Sequence, residues 1–153
     1  HEADLVLSSI CAITVDIMPT EESILGFTNP WYTEGLSTLM PIRVSETCDW
    51  RVLSPAFELA SKCAAFTGRG SKDPGSSTDL EDIVTLVNGR SSLLSEIADS
   101  DEKCKNFLSA WFFRLLGDSS VRDVLPYHLP PELSGQARLS IVLERMNRIS
   151  ELK

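Results

Sequence analysis

Between Lys103 and Leu116 the chain places Phe107, Leu108, Trp111, Phe112 and Leu115 on one helical face, with Phe113 and Leu116 widening it on either side. A helix that is apolar over so much of its circumference cannot rest on a surface; it has to be enclosed by neighbours. This segment is therefore expected to be the central core helix, and the fold must supply several elements to cover it.

The rest of the chain offers them at helical spacing. Thr78-Asp79 starts a run with Leu80, Ile83, Val84 and Val87 on one face and Asn88-Gly89 as a natural stop. Ser91 or Ser92 can restart a short helix carrying Leu93, Leu94 and Ile97, and Asp99, Asp101 and Glu102 read as the start of the central helix. From Cys48 to Phe66, the residues Trp50, Leu53, Phe57, Ala60 and Ala64 form a stripe. Pro55 is tolerable only in a first helical turn, so this helix is predicted to begin near Ser54. Asn29-Pro30 starts a helix with Trp31, Gly35, Leu36, Leu39 and Met40 before Pro41. The final helix runs from Pro131 or Glu132 to Lys153, with Leu139, Val142, Met146 and Ile149 inward.

Nearer the N-terminus, Pro19-Thr20-Glu21-Glu22 reads as another helix start, followed by Ile24, Leu25 and Phe27. Residues 4–18 fit a helical face through Leu5, Ile10, Ile13 and Ile17, yet Ile13-Thr14-Val15-Asp16-Ile17 also alternates like a strand. The predicted fold class is all-α: a compact multi-helix domain of about six to seven helices with almost no strand, its rhythm resembling helical-repeat architectures. Residues 1–153 are expected to form a single domain. The Gly-, Pro- and Ser-rich stretch at about 67–77 is predicted to be a flexible, dispensable loop between two helical halves.

With 14 Lys+Arg against 22 Asp+Glu the formal charge is −8, and residues 1–50 hold eight acids against Arg43 alone. That balance argues against a nucleic-acid backbone or an anionic membrane surface as partner. The longest uncharged apolar stretch, Leu5–Val15, is 11 residues, where a spanning helix needs about 20. Cys11, Cys48, Cys63 and Cys104 form no CxxC pair, and a chain with 42% hydrophobic residues needs no disulfide staples. No N-x-Ser/Thr sequon occurs. Reduced thiols and an intracellular location, cytoplasm or nucleus, are the expectation.

Little in the sequence carries catalytic chemistry. The sole interior histidine is His128, in Tyr127-His128-Leu129-Pro130-Pro131, and it could pair with Cys48, Cys63 or Cys104 as base and nucleophile, though no local signature supports it. Gly68-Arg69-Gly70-Ser71-Lys72 lacks the spacing of a phosphate-binding loop and reads as linker. Copper held by His1 and His128 would suit a β-sandwich better than a helical chain. No catalytic residue, metal ligand or cofactor is assigned.

The surface says more. Trp31 and Tyr32 are adjacent aromatics on a helix, so one of them should lie outward as a partner anchor. Arg138, Arg145 and Arg148 fall on one side of the last helix and are expected to face outward as a basic strip for an acidic partner. The expected function is a non-catalytic protein-protein interaction or scaffold module acting through an apolar and aromatic helical surface. Its partner would be another protein or a helical peptide, with self-association allowed. The alternative is a small ligand-binding protein or enzyme using His128 with a cysteine.

Overall fold

The computed structural model describes residues 29–153. The readings at Leu5–Val15, Ile13–Ile17 and Pro19–Phe27, and Cys11, lie outside the described residues.

Asn29 opens the description as a helix cap. Its Oδ1 accepts from the Trp31 amide at 3.2 Å while its Nδ2 donates to the Ser61 carbonyl at 3.0 Å, tying the cap to a distant helix. Helix α1 (Pro30–Gly35) follows with Pro at its first position, then a 3₁₀ turn at Leu36–Thr38. Two strands come next, β1 (Met40–Ser45) and β2 (Cys48–Val52), where almost no strand was expected; Met40, assigned to the preceding helix, lies in β1, and Trp50, counted in the helical stripe, lies in β2. Helix α2 (Pro55–Ala65) begins where Pro55 requires, with Ser54 at its cap position. A π turn at Phe66–Gly70 and a 3₁₀ turn at Pro74–Ser76 lead into α3 (Thr78–Gly89), capped by the Ser77 hydroxyl, then α4 (Leu93–Ala98).

The long helix α5 (Glu102–Gly117) is the predicted core element, capped by the Asp101 carboxylate, which accepts from the amides of Lys103 and Cys104 at 2.9 and 3.3 Å. Cys104, Leu108, Trp111, Phe112 and Leu115 are buried, and Phe107 and Leu116 pack at the margin. Phe113 is the exception and projects from the core. The predicted last helix is broken. A short α6 (Ser119–Val124) and a 3₁₀ turn at Leu125–His128 precede α7 (Leu133–Gln136) and α8 (Leu139–Ser150). Val142, Met146 and Ile149 of α8 are buried, as expected from its stripe, and Leu139 packs at the edge.

Helix α5 packs against α8 and α2, and α2 in turn packs against α1, α3 and α4. The result is one continuous apolar cluster from Trp31 to Ile149, a compact, mostly helical domain with, among the described residues, only a two-stranded sheet. Helix lengths run from 4 to 16 residues, so the repeat-like rhythm has no counterpart in the elements. Among the described residues, no helix is long and apolar enough to cross a membrane.

Residues 67–77 do not stand apart from this packing. The Trp111 indole N–H donates to the Thr67 hydroxyl at 2.9 Å, and Arg69 forks onto Asp79 at 2.7 and 2.8 Å. His128 Nε2 meets the Pro74 carbonyl at 2.8 Å, and a Cβ on Gly70 would collide with Ser77 and the Phe66 ring. This segment, poor in apolar side chains, makes its contacts to the helices around it largely through polar groups.

Candidate functional site

Among the described residues, the β-ribbon pairs mainly with itself and stands outside the helical packing. Its strands pair antiparallel, with Met40 opposite Val52, Pro41 opposite Arg51, Ile42 opposite Trp50 and Arg43 opposite Asp49. Because successive side chains alternate faces, this register gathers Met40, Ile42, Trp50 and Val52 on one side and Arg43, Asp49 and Arg51 on the other. The register shifts between Arg43 and Ser45, next to Val44. Across the polar face, Arg43 forms an ion pair with Asp49. The apolar face stands open: Met40 is 42% exposed, Ile42 44%, Val44 49% and Trp50 56%.

Its base is anchored firmly. The Thr38 and Ser54 hydroxyls meet at 3.2 Å across the two ends of the ribbon, and Leu53 presses so closely on Gly35 that a Cβ there would overlap it. The two-stranded sheet has both outer edges unpaired among the described residues. Pro41 removes one donor from β1, which makes β2 the better-equipped edge.

The predicted anchors fall elsewhere. Trp31 is buried against Phe57 and Phe107, with ring centroids at 6.0 and 4.7 Å, and Lys103 Nζ lies 5.7 Å above its ring. Tyr32, its neighbour, is half-buried. The predicted outward basic strip divides. Arg138 donates to the Asn88 carbonyl at 2.9 Å and to the Asn88 side chain; Arg145 Nη1 donates to the carbonyls of Val87 and Asn88, each at 2.7 Å. Both therefore turn onto the C-terminal end of α3, where carbonyls lack helical partners and the helix dipole favours a cation. Arg148 alone of the three is exposed. Seven-residue spacing had placed Arg138 and Arg145 on one side of a helix correctly, but that side faces α3.

A concavity of about 300 Å³ opens beside α5. Phe66, Trp111 and Leu115 form its floor, and Arg114 and Asp118 stand at its rim. It contains no cysteine or histidine. Cys63 and Cys104 lie in the core; burial pushes the Cys63 thiol well up, and burial, outweighing other influences, pushes Cys104 from 9.0 to about 11. Among the described residues no group of His, Cys, Asp and Glu could hold a metal ion, and no disulfide joins Cys48, Cys63 or Cys104.

Sequence reasoning missed the ribbon. The signal was present in the Met40, Ile42, Val44 alternation, which the longer Trp50, Leu53, Phe57 spacing masked. No family model, curated protein or solved structure matches the chain.

Proposed function

We propose that this chain is a non-catalytic protein-interaction module whose partner docks on the β-ribbon, adding a strand at the β2 edge and covering the apolar face. The observation that carries this reading is the exposure of Met40, Ile42, Val44 and Trp50 together on one element, while the helical core closes without them. Contiguous exposed apolar side chains mark interaction surfaces, and a sheet edge supplies main-chain hydrogen bonds to an extended segment. Trp50 is the natural anchor, since buried tryptophans dominate interface energetics.

The alternative, a ligand-binding protein or enzyme using His128 with a cysteine, draws no support from this geometry. The Pro74 carbonyl occupies His128 Nε2, and a nucleophilic thiol requires a lowered pKa, opposite to the shifts at Cys63 and Cys104.

The test replaces Ile42 and Trp50 by Asp in one variant and compares capture of partner proteins from source cells with wild type. Far-UV circular dichroism should stay helical because neither side chain enters the core. The expected result is loss of a protein that wild type retains; an unchanged set of captured proteins would reject the ribbon.

A further inference from the structure

Arg90, Arg145 and Arg148 line one small cleft of about 140 Å³ where the end of α3, the start of α4 and the last turns of α8 meet. Val87, Leu93 and Ile149 contribute apolar walls, and Ser91 adds a hydroxyl. Three arginines lining one small concavity concentrate positive charge there, which on a chain of charge −8 favours a counter-anion.

Among the described residues, a carboxylate pairs with only one of them. Arg90 forks onto Glu96 through Nε and Nη2 at 2.6 and 2.7 Å, which leaves its Nη1 without a partner in that pair. Arg145 spends Nη1 on the two α3 carbonyls, and its Nε and Nη2 make no hydrogen bond to another described residue. Arg148 has no carboxylate within ion-pair distance among the described residues, although Glu144 stands one helical turn before it on α8 and Glu151 lies at the C-cap of that helix. Among the described residues, the cleft thus combines a cationic lining with N–H groups on all three arginines that have no partner there.

We infer that this cleft binds a phosphate-sized oxyanion, either free phosphate or the phosphate of a monoester. Guanidinium groups are planar donors matched to paired phosphate oxygens, and a tetrahedral anion can accept from three sides at once, which a planar carboxylate cannot. The tie between Arg145 and α3 holds one donor in place before the anion arrives, so less side-chain freedom is lost on binding. The site lies apart from the ribbon, and its existence does not depend on the proposed docking there.

The experiment is calorimetric titration of the full chain with sodium phosphate and, separately, with O-phosphoserine, at constant ionic strength maintained with chloride. Saturable one-to-one binding is expected, weakened about tenfold or more in Arg148→Gln, with Arg148→Lys retaining part of the affinity through charge alone. Arg148 is exposed, so its replacement should leave the circular dichroism unchanged; Arg90→Gln provides a second variant with the same expected loss. Tighter binding of phosphoserine than of phosphate would identify a monoester as the ligand, and equal or weaker binding would identify the free ion. Absence of saturable binding by both probes, or affinity unchanged in both Gln variants, would overturn the assignment.

Discussion

At the scale of single residues, the most consequential polar contact is Arg69 on Asp79. The Asp79 carboxylate is only 3% exposed, whereas the Arg69 side chain is 67% exposed. Asp79 lies in the first turn of α3, where the dipole favours an anion, but burial requires that its oxygens keep their donors. Arg69→Ala strands that carboxylate and should cost about 2 kcal/mol in denaturant unfolding, the range for a lost hydrogen bond to a charged group. Adding Asp79→Asn should recover part of the loss; no loss in the single variant would show that water serves Asp79 equally well. The buried thiols make a pH prediction. Cys104 holds its proton up to about pH 11 in the fold, against an ordinary value of 9.0. Between those values the unfolded chain has lost protons that the folded chain keeps, so stability falls as pH rises. Cys63 acts in the same direction. Unfolding midpoints should therefore decline from pH 9 toward 11, and Cys104→Ala, measured at the same pH values against its own neutral-pH stability, should flatten the decline.

At the scale of elements, the sequence was readable wherever one face is buried. Helices α3, α4 and α5 fall where their apolar stripes predict, and α2 starts where Pro55 allows. The ribbon escaped because its Met40, Ile42, Val44 alternation is short and the Glu46-Thr47 connection lacks the Asn-Gly or Asp-Gly of a strong hairpin turn. Helix α6, 6 residues long, fully buries Val121 alone and so repeats no apolar stripe, unlike α4 with Leu93 and Ile97 one turn apart. Segment 67–77 was read from composition, which registers the scarcity of apolar side chains but not the Arg69, Thr67 and Pro74 contacts made over long sequence separations. The arginines of α8 show the same limit: spacing sets which side of a helix they share, not which neighbour that side meets. Since Arg145 satisfies two carbonyls at the end of α3, Arg145→Met should lower stability by about 1–2 kcal/mol. Arg148→Met, at an exposed position, should change it by less than about 0.5 kcal/mol. Equal effects in thermal or denaturant unfolding would place the two side chains in equivalent roles, contrary to the structure.

At the scale of the molecule, the buried core and the proposed docking surface occupy separate parts. The buried cluster runs through the helices and closes around α5, while the ribbon joins it through Leu53 and the Thr38–Ser54 contact. Such a division lets the ribbon face vary in chemistry without unfolding the domain, and it makes the proposed docking surface directly addressable. Leu133, 90% exposed on α7, offers a comparison site away from the ribbon. The decisive measurement is photo-crosslinking in source cells, with a photoreactive residue placed in turn at positions 42, 50 and 133. A partner docked on the ribbon predicts a discrete protein adduct from positions 42 and 50 and none from 133. Adducts from 133 alone, the same adducts from all three positions, or no adduct from the ribbon would contradict it.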